Sequence, residues 1–86
     1  MRIEPTRRFQ KDYDALPLRL QEATDSRLAL LARFPQHPSL RLKRVRGTQV
    51  YWEISVNMQY RVVLEFVSDE HAVLHRVGTH RVLGEV

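Results

Sequence analysis

The hydrophobic period of this chain changes once, near its middle. Up to Phe34 the apolar residues recur every three or four positions; from Leu40 onward they recur every second position. A period near 3.6 belongs to a helix with one buried face, and a period of 2 to a strand with one buried face. Helices gathered in one half and strands in the other predict an α+β fold, because the apolar face of the sheet needs the helices to cover it.

Met1–Glu4 is short and partly apolar, and Pro5 interrupts it, which suits an edge strand. Thr6 is placed to cap a helix in which Phe9, Tyr13 and Leu16 share one face. Pro17 marks the start of a second helix, since proline is tolerated at a first helical position. Leu20, Ala23, Leu31 and Phe34 form its apolar stripe, with Leu28 and Leu30 on the flanks. Thr24 and Arg27 also fall in that stripe; an arginine stem can lie along apolar surface with its head in water. Pro35 and Pro38 stop the helix, so residues 6–34 read as a helical hairpin.

In the second half, Leu40 and Leu42 alternate with Arg41 and Lys43 until Gly47. In the strand of residues 50–56, Trp52, Ile54 and Val56 point one way, with Glu53 and Ser55 opposite. Asn57-Met58-Gln59 suits a hairpin turn. Tyr60, Val62, Leu64 and Phe66 then face the core, leaving Arg61, Val63 and Glu65 on the other side. Residues 68–71 turn the chain into a last strand, 72–77, ending at Gly78. The expected order is β-α-α-β-β-β-β: a helical hairpin on one face of a small antiparallel sheet, with residues 1–86 as a single domain and the second face of the sheet open.

Composition narrows the function. The longest apolar run is the five residues Leu28–Ala32, against the ~20 needed to span a bilayer, and the first residues hold no apolar signal core. There is no cysteine, hence no disulfide and no thiolate chemistry. A cytoplasmic protein with no membrane partner is expected. Fourteen Lys+Arg against ten Asp+Glu leave a net charge of +4, and Lys11 and Lys43 are the only lysines. An arginine excess offers planar, permanently charged forks suited to phosphate, so a polyanionic partner is expected.

The candidate site lies on the open face. Glu53 and Ser55 stand on the strand paired with the one that carries Arg61. The basic run Arg41, Lys43, Arg44, Arg46 precedes them, and His80-Arg81 follows the last strand. A groove lined by Arg41, Lys43, Arg61 and Arg81 would hold a phosphodiester backbone by charge-assisted hydrogen bonds. The same run also reads as a charged edge strand that resists aggregation, and Arg61 as a simple cross-strand partner of Glu53. His71 and His75 are four apart, which in a strand separates them by roughly 13 Å, too far to share an ion. His37 sits in a proline-flanked loop. His80 is different: a histidine side chain can serve as acid or base near neutral pH.

In this order of elements the chain resembles the RelE/ParE superfamily of bacterial type II toxins, particularly its RelE- and YafQ-like ribonuclease branches. The matching segments are Phe9-Gln10-Lys11-Asp12-Tyr13-Asp14-Ala15-Leu16-Pro17, then Leu40–Gly47, Trp52-Glu53-Ile54, Tyr60-Arg61 and Arg76-Val77-Gly78-Thr79-His80. They span about Ile3 to Leu83. The resemblance implies a metal-free, cofactor-free endoribonuclease that cuts mRNA in the ribosomal decoding site and is silenced by a cognate antitoxin in a hetero-oligomer. It implies Arg61 as the phosphate-stabilising arginine, His80 as the proton-transfer residue and Glu53 as a base. It leaves Arg41, Lys43, Arg44, Arg46 and Arg81 as RNA contacts.

The chain also departs from the pattern. Glu53 and Ser55 stand where RelE proper carries lysines, and Gly84 stands near a position that many members fill with an aromatic residue. The competing expectation is a ParE-like toxin that inhibits DNA gyrase without catalysis, or an inactive relative that only pairs with its antitoxin.

Overall fold

Thr6 ends the first strand and starts the first helix. In the computed structural model, which describes residues Met1–Val86, its hydroxyl accepts from the Phe9 amide at 3.1 Å and donates to the Leu74 carbonyl at 2.8 Å. This is an N-cap that also ties the helix to the sheet. Before it runs β1 (Arg2–Pro5), and after it α1 (Arg7–Asp14). Pro17 caps α2 (Leu18–Arg33), one residue outside the first helical position. The strands are β2 (Lys43–Arg44), β3 (Trp52–Ser55), β4 (Tyr60–Ser68) and β5 (His71–Thr79), with short 3-10 turns at Pro38–Leu40 and His80–Gly84.

The order β-α-α-β-β-β-β is as expected, and β2 to β5 form the antiparallel meander. Asn57 makes the β3–β4 turn, its Oδ1 accepting from the amides of Gln59 and Tyr60, each at 2.8 Å. The sheet as a whole is mixed, however, in the order β1-β5-β4-β3-β2. β1 runs parallel to β5, Arg2 opposite His71 through Pro5 opposite Leu74. No short turn joins these two strands, so no local signal sets their relative direction.

The alternation at Leu40–Gly47 gives less strand than it predicts. Leu40 ends a 3-10 turn, and Arg41 takes a left-handed conformation at φ 52°. That twist leaves only Lys43 and Arg44 paired with β3. Leu40 is nonetheless fully buried, because it plugs the core from the turn rather than from a strand.

The helices cover one face of the sheet, where Phe9, Leu31, Leu40, Ile54, Val62, Leu64 and Leu74 form the main core. Thr24 is buried among them with its hydroxyl donating to the Leu20 carbonyl at 2.8 Å, which explains a polar residue inside the stripe. Phe34 lies outside the core, more than half exposed, beneath the Arg33 guanidinium.

The opposite face is not open. The 3-10 turn His80–Gly84 folds back over it, and Val82 packs with Val45 and Val63 into a second buried cluster. Gly78 makes this approach possible: a Cβ there would meet Val82 Cγ1 at 2.8 Å. β5 therefore continues to Thr79 before the chain reverses. The turn is also held from behind, where Arg76 Nη1 donates to Glu85 Oε1 at 3.0 Å and Arg76 Nε to Asp12 Oδ2 at 2.7 Å. No helix is long and apolar enough to cross a membrane.

Candidate active site

The covered face leaves a basin at the end where β4 starts and β5 finishes. Arg61 lies on the central strand, opposite Ser55 of β3 and Gly78 of β5. Its Nη1 donates to the Asn57 carbonyl at 2.7 Å and to the Tyr60 carbonyl at 3.0 Å. Its Nε lies 3.5 Å from Glu53 Oε1, and the two side chains are 13% and 6% exposed. The arginine is thus fixed by its own turn and by its carboxylate neighbour.

Around it runs a cavity of about 400 Å³ lined by Lys43, Arg46, Glu53, Arg61 and His80, with Val45, Leu83 and Gly84 completing the wall. His80 enters it because the reversal after Thr79 brings the first residue of the 3-10 turn back over the sheet. Of the residues picked out in the sequence, five converge here. Arg41 reaches Arg61 from another side, through a second cavity of about 400 Å³ that also includes Arg27, Ser39 and Ser55. Arg81 lines neither; it shares a third cavity with His80, Tyr60 and Met58. Arg44 points away, its Nη1 donating to the Gln49 carbonyl at 2.9 Å and its Cζ lying 4.8 Å above the Trp52 ring. His71 and His75 are engaged elsewhere, with Glu4 at 2.8 Å and Glu65 at 2.9 Å.

Sequence reasoning missed the lid over this basin. Val82 and Leu83 follow the glycine of the last strand as an apolar pair, and that pair was the available signal of a return to the sheet. It also missed the brace behind the lid. Arg76 is held between Asp12 and Glu85, and the hydrogen bond it donates to Asp12 raises its pKa above the usual arginine value.

The sequence and the fold lead to one lineage. The model of a family described as the ParE toxin of the type II toxin-antitoxin system, parDE, matches residues 3–83. The chain belongs to this family. It is accordingly a type II toxin-antitoxin toxin of the RelE/ParE superfamily. Solved toxin structures share its fold at low identity. A YoeB/ParE toxin from Agrobacterium tumefaciens is 18% identical, with a TM-score of 0.76 over 93% of this chain and 99% of that one. YafQ from E. coli strain BL21(DE3) is 19% identical, with a TM-score of 0.77 over 96% and 98%. The RelB-RelE antitoxin-toxin complex from Methanococcus jannaschii gives 18% identity and a TM-score of 0.71 over 95% of both chains. No curated protein sequence matches the chain.

Proposed function

We propose that this ParE-family toxin is a metal-free endoribonuclease that cuts mRNA at the ribosome. The observation that carries the reading is the convergence of Glu53, Arg61 and His80 on one cavity whose remaining charge, from Lys43 and Arg46, is positive. Such a basin suits a phosphodiester, and its three central side chains suit a transphosphorylation. The 2′-hydroxyl loses its proton to the Glu53 carboxylate as its oxygen bonds to phosphorus. Charge growing on the phosphorane is met by Arg61, and protonated His80 gives its proton to the departing 5′-oxygen as the P–O bond breaks. The products are a 2′,3′-cyclic phosphate and a 5′-hydroxyl. Arg41, Lys43, Arg46 and Arg81 hold flanking phosphates. Arg44, stacked on Trp52, serves better as a charged guard of the sheet edge.

A cognate antitoxin is the expected protein partner. The DinJ-YafQ and RelB-RelE structures that share this fold are toxin-antitoxin complexes. An acidic or amphipathic antitoxin segment laid over the basic basin would silence it.

A second reading has its own support. Arg61 is nearly buried and already tied to Glu53, and the matching family model is that of ParE. Both favour a toxin that binds DNA gyrase and cuts nothing. Induced expression followed by primer extension on a cellular mRNA separates the two. Cuts at fixed codon positions are the expected result; intact mRNA with DNA damage selects the gyrase reading.

A further inference from the structure

A cavity of about 690 Å³, larger than the basin around Arg61, shares no residue with it. It lies between α1 and β5, lined by Arg7, Arg8, Lys11, Asp12 and Arg76 among others. β1 pairs only as far as Leu74, so beyond that residue β5 has no strand on this side and α1 stands in its place. Arg76 is neutralised by Asp12 and Glu85. Arg7, Arg8 and Lys11 are exposed and form no ion pair or side-chain hydrogen bond.

Their placement works against the helix. Positions 7, 8 and 11 are three and four apart and so share one face, where like charges repel by a few tenths of a kcal/mol per pair. The first turn of α1 holds no acidic residue, and the helix dipole disfavours cations there. A cluster that breaks local preference, without a contact in the fold to offset it, marks a surface shaped by a ligand.

We propose that this α1–β5 groove is a second binding site for the phosphodiester backbone of RNA, gripping the strand apart from the site of cleavage; this rests on the RNA-directed reading above. Three free cations, two of them guanidinium forks, match phosphate oxygens. An extended acidic peptide fits less well. Asp12 Oδ2 already accepts from the Val77 amide at 3.1 Å, so an added strand would meet an occupied donor and a carboxylate.

The test is binding of a short single-stranded RNA, followed by fluorescence anisotropy across a range of salt. The variant R7Q/R8Q/K11Q is compared with a control that removes the same charge elsewhere, R2Q/R19Q/R33Q. The groove variant should lose on the order of tenfold in affinity and flatten the log–log salt slope by about 2, at ~0.7 per phosphate contact. The control should change both much less. Equal losses in the two variants would reduce the groove to general charge and overturn the proposal. So would an unchanged groove variant, even with cleavage on programmed ribosomes intact, in which case the functional reading stands alone. A polyglutamate that displaces no RNA but binds the parent and not the groove variant would assign the groove to an acidic protein. If the parent binds no RNA at all, the RNA reading and this site fall together.

Discussion

Glu53 and Arg61 are bound diagonally across the β3–β4 ladder. Glu53 is registered on Val63 and Arg61 on Ser55, yet Arg61 Nε reaches Glu53 Oε1 at 3.5 Å. Across that ladder each faces an uncharged residue, while on its other side Glu53 is registered on Lys43 of β2. The second core cluster, with Val63 and Val82, closes over this part of the sheet, and the pair lines the cavity beside it together with Lys43. The proposed chemistry and the stability of the fold therefore draw on the same pair.

Arg61→Ala should separate these roles. Removing one partner of a nearly buried pair strands the other, at a cost of about 3 kcal/mol to the fold. Urea unfolding should show that loss, and Arg61→Ala with Glu53→Gln should recover part of it. On the folded fraction, cleavage of mRNA on programmed ribosomes should fall far more than RNA affinity, because the other basic residues share ground-state binding. Equal losses in rate and affinity would make Arg61 a binding residue only.

His80 is exposed and carries no buried partner, so its loss should be felt in the chemistry. His80→Ala should lower the rate by on the order of 10²–10⁴-fold with affinity nearly unchanged. His80→Gln keeps a donor but cannot titrate; if it retains the parental rate, His80 positions the substrate and transfers no proton.

At Gly78 a methyl group would run into Val82 Cγ1. Gly78→Ala should cost about 1–3 kcal/mol through overpacking and should displace the turn that carries His80. Gly78→Ala combined with Val82→Ala should restore more activity than it restores stability, since Val82→Ala leaves its own gap in the cluster. Thermal melts and cleavage rates on the same samples decide it.

Tyr13 clamps α1 to α2, its hydroxyl donating to Asp25 Oδ1 at 2.8 Å and Oδ2 at 3.0 Å. This hydrogen bond, together with the nearby carboxylate charge, raises the phenol pKa above its usual value near 10. The protonated form is the one the fold favours. Its contribution is complete below about pH 10 and is lost as the pH rises through the raised pKa. Ultraviolet titration should place phenolate formation at Tyr13 above that of a free tyrosine, and Tyr13→Phe should remove this alkaline loss of stability.

How far the sequence carried can be read from individual residues. Thr6, Asn57 and the alternation from Trp52 to Ile54 act through neighbours in the chain, and each was legible. The parallel pairing of β1 with β5 was not, because it joins residues about seventy apart with no turn between them. Alternation also tells which face a side chain takes but not what lies above that face. Glu53 and Val63 were placed on the right side of the sheet, and the lid that buries them was invisible. The same limit applied to Arg44, which was expected among the RNA contacts or as an edge-strand charge and whose side chain lies over Trp52.

The pairing of the first strand with the last has a temporal side. During synthesis Arg2–Pro5 must wait for His71–Leu74 before it has a strand to pair with. Contacts between such distant residues form late, since the loop between them has to be closed first. His80 and its turn follow still later in the chain. The nascent toxin thus passes through the ribosome as an unfinished sheet, and becomes a folded body only once β5 has left it.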